Sequence, residues 1–146
     1  MGVSYLCVVL ETISMEIYRR KVNYYECDRM GITHHSNYIR YMEEARIELL
    51  EKLGYGFDRM EAEGISSPVV SVECEYKKTT TFRDEIVINV GLEDISALKM
   101  KFNYRMTVNG ALVCKGITTH CFFDKGKPAV LDERFPELCR KLREMD

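Results

Sequence analysis

The amino-acid sequence predicts an α+β domain: an antiparallel sheet with one long helix segregated to one face. Three observations carry that prediction. Residues 36–53 repeat apolar side chains with a helical period. After Gly64 the period shortens towards two, through four successive segments at 65–80, 85–95, 98–108 and 111–123. The third and fourth of these flank Asn109-Gly110, the strongest hairpin signal in the chain. A length of 146 residues is about one domain.

The elements follow in order. Residues 16–26 mix polar residues with Tyr and Val and read as a first strand. Asp28-Arg29-Met30-Gly31 reads as a turn, with Asp first and Gly fourth. The helix at 36–53 carries an apolar stripe of Tyr38, Tyr41, Met42, Ala45, Leu49 and Leu53, widened by Ile39, Ile47 and Leu50. Arg40, Glu43, Glu44, Glu48 and Glu51 form its polar side, and Gly54 and Gly56 stop it. A short helical turn is expected at 57–62. The strands then alternate through Val70, Val72, Cys74 and Tyr76, through Ile86, Ile88 and Val90, and through Leu98, Met100, Phe102, Tyr104 and Met106. Lys125-Gly126-Lys127-Pro128 ends the last strand, and residues 132–145 read as one amphipathic helix carrying Phe135, Leu138 and Leu142. A single helix leaves sheet edges open, and pairing an edge with a second chain would remove one of them.

Composition narrows the function classes. Apolar residues are 46% and charged residues 30%, with 21 Lys and Arg against 23 Asp and Glu, a formal net charge of -2. That balance excludes a disordered tail, a collagen-like repeat and a polybasic nucleic-acid binder. The six cysteines (Cys7, Cys27, Cys74, Cys114, Cys121 and Cys139) are scattered with no CxxC, so no zinc site is expected. They read as free thiols in a reducing, cytoplasmic setting. Residues 3–10 are apolar but too short to span a bilayer and lack a signal peptide's layout. Residues 1–14 are expected to be a dispensable extension, with the fold occupying 15–146.

The residues with chemical potential cluster between the first strand and the helix. A carboxylate (Asp28), a glycine (Gly31), two histidines (His34, His35) and a helix start fall within a dozen positions. The first N–H groups of a helix lack internal partners, and the helix dipole adds positive potential there. Such an end can hold a carbonyl oxygen that gains charge under attack. Gly31 would let backbone approach a substrate, and a nearby carboxylate can attack a carbonyl or activate water. Asp28 can equally serve only to cap its turn. Glu26 reads as a solvated strand residue, and Ser36 or Asn37 as the helix N-cap. His34 and His35, being adjacent, are expected to point in different directions and not to share a metal. No Ser-His or Cys-His nucleophile motif, G-x-S-x-G or P-loop is present.

This segment resembles the hotdog-fold acyl-CoA thioesterases of the 4-hydroxybenzoyl-CoA thioesterase and YbgC-like type. Their signature is a strand ending in acidic-x-Asp, then x-x-Gly, an aromatic or His, Asn-Tyr opening a helix, and Glu-x-Ala-Arg. Here it reads Glu26-Cys27-Asp28, Gly31, His35, Asn37-Tyr38 and Glu43-Glu44-Ala45-Arg46. The order of elements matches from residue 15 to about residue 130. The resemblance implies a hotdog fold, a long central helix wrapped by an antiparallel sheet. It implies hydrolysis of acyl-CoA thioesters without a cofactor or metal, at a site formed between two subunits of a homodimer or homotetramer.

Carried over residue by residue, Asp28 matches the catalytic Asp, and His35 the position whose backbone N–H polarises the thioester carbonyl. Tyr38 and Glu43 match the helix motif in a supporting role. His34 stands where many members carry an aromatic. CoA bears phosphates, so Lys77 and Lys78 are candidate contacts, although they also read as a solvated strand end. Phe102, Tyr104, Phe122 and Phe123 read as sheet-face core ahead of an acyl pocket. Asp28 as nucleophile or as general base remains open, and so does acyl-carrier protein in place of CoA. A non-catalytic acyl-CoA-binding regulator is the alternative from another class, and acyl transfer to a carrier protein a further one. A hotdog dehydratase fits less well, because it would use a different His-and-acid motif. No nucleic-acid or membrane partner is expected.

Overall fold

The computed structural model describes residues 17–145. The expectations for residues 1–14 and for Cys7 lie outside the described residues. In chain order the elements are β1 (Tyr18–Lys21), a 3-10 turn (Tyr24–Glu26), α1 (Ser36–Lys52), α2 (Phe57–Ala62), β2 (Ile65–Ser66) and β3 (Val69–Tyr76). They continue with β4 (Glu85–Ile95), β5 (Lys99–Val108), β6 (Ala111–Cys121), β7 (Phe123–Asp124), β8 (Lys127–Pro128), α3 (Leu131–Arg134) and α4 (Pro136–Arg143). Five strands form one antiparallel sheet in the order β1-β4-β5-β6-β3, and β2, β7 and β8 form a small second sheet. The α+β expectation holds, with the helix lying across one face of the main sheet.

The strand alternation decides which face receives the helix. Ile86, Ile88 and Val90 of β4 and Met100, Phe102, Tyr104 and Met106 of β5 are all buried against α1 and its surroundings. From α1 come Tyr38, Tyr41, Met42, Ala45, Leu49 and Leu50. Gly116 of β6 lets the helix approach closely, because a Cβ there would overlap the Met42 side chain. Asn109 and Gly110 both take positive φ (49° and 80°), and Val108 pairs with Ala111 across the turn. This is the primed hairpin that the dipeptide predicts.

Several expectations need correction. The first strand stops at Lys21, and residues 24–26 turn in a 3-10 helix because Glu26 folds back on Asn23. Segment 65–80 is not one strand: Pro68, which has no N–H to donate, separates β2 from β3. The last strand ends at Cys121, and Lys125-Gly126 turns the short β7–β8 hairpin. The C-terminal helix is two, broken before Pro136, which sits at the start of α4. Ile39 is exposed rather than part of the apolar stripe, and Arg46 is buried. Phe102, Tyr104 and Phe122 are core, as read, while Phe123 is half-buried in β7.

The topology leaves β3 at one edge of the sheet. Val69, Val70, Val72 and Tyr76 on it are 44%, 49%, 37% and 47% exposed, so a strand that reads as half-buried is apolar and uncovered here. None of the described helices is long and apolar enough to cross a membrane.

Candidate active site at the start of the long helix

The turn before α1 is built by Asp28. Its carbonyl accepts the Gly31 N–H at 3.0 Å, and its Oδ1 accepts the Met30 N–H at 2.8 Å. Asp28 therefore does cap its turn. Its other oxygen, Oδ2, has no protein partner among the described residues, and the side chain is half-buried. Gly31 takes a φ of +78°, which glycine adopts without strain, and the space around it is open. The turn closes through Asp28 N–H to the Ile32 carbonyl at 2.8 Å, with Cys27 bridged to Thr33.

A chain of buried hydroxyls pins this loop to the connection between β3 and β4. Thr33 N–H donates to the Thr80 carbonyl at 2.8 Å. The Thr80 hydroxyl lies 2.6 Å from that of Thr33 and 2.8 Å from the Tyr38 hydroxyl. Thr81 donates to the Gly31 carbonyl at 2.7 Å. Burial raises the pKa of Tyr38, so its hydroxyl stays protonated at neutral pH.

Behind the site, Glu26 overturns its expected solvated role. It is 5% exposed and holds Arg20 at 2.5 Å and the Asn23 N–H at 2.7 Å. Arg20 also reaches Glu44 of α1 at 3.1 Å and lies over the Tyr41 ring. Burial opposes ionisation of Glu26, but the Arg20 guanidinium and the Asn23 N–H outweigh it and hold the carboxyl below its ordinary value.

The helix begins without the expected side-chain cap. His35 occupies the N-cap position, and neither Ser36 nor Asn37 caps the end. Instead Nδ1 of His34 accepts the Ser36 N–H at 3.2 Å and lies 2.8 Å from the Ser36 hydroxyl. The His34 and His35 rings stack with centroids 4.2 Å apart, against the expectation that they diverge. The His35 N–H has no hydrogen-bond partner among the described residues, while the flanking Ser36 and Asn37 N–H groups are occupied.

A cavity of about 340 Å³ opens at this point. Asp28, His35, Tyr38, Lys77 and Lys78 all line it, together with Tyr76, which sequence reasoning assigned only to the strand alternation. Met30 and Ile32 supply apolar wall. Gly31 and His34 do not line it: one shapes the turn, and the other faces solvent against Ser36. Lys77 is paired with Glu75 at 2.7 Å, and Lys78 is exposed beside it. Glu43 is exposed on the outer side of α1, away from the cavity lining. Beneath Tyr76, the Cys74 and Cys114 sulfurs lie 3.4 Å apart, as free thiols.

A carboxylate with a free oxygen therefore shares a cavity with an unpaired backbone donor at the positive end of a 17-residue helix. The model of the thioesterase-like superfamily matches residues 22–142, and the chain belongs to that family and has its hotdog fold. Among its relatives, a candidate esterase of Aquifex aeolicus (strain VF5) is 40% identical over 111 residues, covering 76% of this chain and 87% of that protein. The candidate acyl-CoA thioesterase YneP of Bacillus subtilis (strain 168) is 34% identical over 120 residues, covering 80% and 87%. Among solved structures, a DHNA-CoA thioesterase from Staphylococcus aureus superposes with a TM-score of 0.80 at 29% identity, covering 87% of each chain.

Proposed function

We propose that this protein hydrolyses acyl-CoA thioesters to the free acid and CoA. The observation that carries the proposal is the juxtaposition of the Asp28 carboxylate and the unpaired His35 N–H in one cavity. The thioester carbonyl sits with its oxygen toward the His35 N–H and the α1 N-terminus, which offset the negative charge that develops on attack. Asp28, oriented through the Met30 N–H, supplies the attack through its free oxygen. It acts either on the carbonyl carbon directly or on a water that it deprotonates. In either route the C–S bond breaks and CoA leaves as its thiolate; in the direct route water then hydrolyses the acyl-Asp28 anhydride, which releases the acid and restores the carboxylate. The reaction as drawn uses side chains and backbone alone, with no cofactor or metal.

Lys77 and Lys78 at the cavity mouth suit the phosphates of CoA. Lys78 is the better candidate, since Glu75 already neutralises Lys77. The exposed apolar edge of β3 supports pairing with a second copy through that strand, next to the site. The free thiols fit a reducing compartment such as the cytoplasm. Names of relatives that specify CoA esters favour CoA over acyl-carrier protein as the thiol carrier.

The test is thiol release from a panel of acetyl-, hexanoyl- and benzoyl-CoA and the matching acyl-carrier-protein thioesters. Turnover of at least one CoA ester is expected. Tight binding of every CoA ester without turnover would favour the regulator, and turnover of carrier-protein thioesters alone would move the substrate class. A single turnover in ¹⁸O-labelled water separates the two roles of Asp28. Label in the Asp28 carboxylate marks a covalent acyl intermediate, and its absence counts against that role.

A further inference from the structure

If hydrolysis proceeds as proposed, polarisation rests on one peptide group, the one joining His34 to His35. Its N–H is the unpaired donor. Its carbonyl accepts the Asn37 N–H at 2.9 Å. Because a peptide group is planar, holding the His34 carbonyl fixes the direction of the His35 N–H.

Asn37 does more than contribute its own backbone. Its side-chain Nδ2 reaches back eleven residues to the Glu26 carbonyl at 2.8 Å. The same carbonyl accepts the His34 N–H, also at 2.8 Å. Both ends of the polarising segment are thereby referred to one point, and that point is stationary because the Glu26 side chain is locked by Arg20 and the Asn23 N–H. Asp28 lies only two residues further along, so the carboxylate and the donor share a common anchor.

The opposite side is held from the sheet. Tyr76, near the end of β3, donates its hydroxyl to the His35 carbonyl at 3.0 Å. Its ring meets Tyr38 edge-on, with centroids 5.3 Å apart, and His35 at 6.2 Å. The peptides on both sides of the His35 Cα therefore carry a hydrogen bond from outside the helix's own backbone ladder or from its first turn.

We propose that Asn37 and Tyr76 are positioning residues for the His35 N–H. They act as two clamps, one anchored on the Glu26 turn and one on the sheet edge, that hold the polarising peptide in place relative to Asp28. The proposal rests on the thioester-hydrolysis reading and goes beyond it, since both act through backbone atoms of other residues. It also links the edge strand, and whatever pairs with it, to the donor.

The experiment compares Asn37→Ala, Tyr76→Phe and Asp28→Asn in the full chain. The substrate is whichever of acetyl-, hexanoyl- and benzoyl-CoA the wild type turns over fastest. Tyr76→Phe removes one oxygen and keeps the ring; Asn37→Ala removes the amide. Each is expected to lower kcat about tenfold or more, with KM within about twofold of wild type, since a small misplacement of a reacting geometry is costly. The His35 amide cross-peak in a ¹H–¹⁵N spectrum should move in both, which a purely structural loss elsewhere would not require. Should Asn37→Ala fail to fold, Tyr76→Phe decides alone. Unchanged kcat in the folded variants, or a change confined to KM, overturns the clamps while an inactive Asp28→Asn leaves the hydrolysis reading standing. An active Asp28→Asn removes the reading and the clamps together.

Discussion

Glu26 is the residue on which the local geometry turns. Its carboxylate is paired with Arg20 and capped by a backbone N–H, and its carbonyl anchors His34 and Asn37. Removing the charge leaves the part-buried Arg20 guanidinium with Glu44 as its remaining carboxylate partner. Glu26→Gln is expected to destabilise the fold by about 1.5–3 kcal/mol, the range for losing a hydrogen bond to a charged group, measurable by urea unfolding. A loss below about 0.5 kcal/mol would mean the pair is solvated after all. Cys74 supports a second prediction. The hydrogen bond from Cys114 lowers the Cys74 pKa to about 7, against burial that raises it. Among the described cysteines Cys74 is therefore expected to react first with iodoacetamide at pH 7.5, read by peptide mass spectrometry; labelling of Cys27 or Cys121 ahead of it would contradict this.

What could be read at this scale follows from distance along the chain. The turn at Asp28–Gly31 and the place of Asp28 and His35 beside the helix start were legible because both are local signals, whereas the expected substrate contact of Gly31 is not seen in the cavity lining. The burial of Glu26 was not, because its partner comes across a turn that alternation disguises as a continuing strand. Tyr76 was visible only as a strand residue, since nothing local says that β3 delivers its hydroxyl to a helix 41 residues earlier.

At the scale of elements, the helix and the central strands were legible and the edge was not. The 3.6 period marks α1 and the alternation marks β4 and β5, because both are read out by burial on one face, while the Asn109-Gly110 turn marks β6. Val69–Tyr76 within the segment 65–80 show the same alternation, yet strand order leaves all of β3 but Cys74 exposed, and strand order is not a local property. The consequence is testable. Val72→Lys on β3 places a charge on the exposed apolar edge and is expected to shift the protein to a monomer in size-exclusion chromatography. Elution unchanged from wild type would contradict the proposed pairing of copies through β3. The helix–sheet contact is tested by Gly116→Val, whose side chain must displace Met42 or the Glu73 carbonyl of β3. Overpacking of this kind is expected to cost about 1–3 kcal/mol in denaturant unfolding.

For the whole molecule, acid stability has a definable source. His120 is fully buried, and burial, with the Arg46 charge beside it, lowers its pKa to about 4. Its Nε2 lies 2.8 Å from the Thr118 hydroxyl, which in turn meets Tyr104, the acceptor of the Arg46 guanidinium. In the unfolded chain His120 takes up a proton near pH 6.5, while the native state does not until about pH 4. The unfolded state thus binds more protons across that window, and stability falls as pH drops from about 6.5 to 4. Glu26, whose native carboxyl is held below its ordinary value, adds a second acid-linked loss as pH falls from the ordinary carboxylate range through that depressed value. Thermal unfolding across pH 4–7 should show the first loss, and His120→Phe should flatten it.

The fold, the Glu26–Arg20 ion pair and the edge strand all converge on one arrangement: a carboxylate sharing a cavity with a backbone donor at a helix N-terminus. The most direct test is the kcat for thiol release from the preferred acyl-CoA in wild type and in Asp28→Asn. The variant keeps the oxygen that caps the turn, so the fold and substrate binding are expected to survive. A fall in kcat of at least about 10³-fold is expected, with unchanged unfolding midpoint. An Asp28→Asn protein that releases thiol at the wild-type rate would contradict the account.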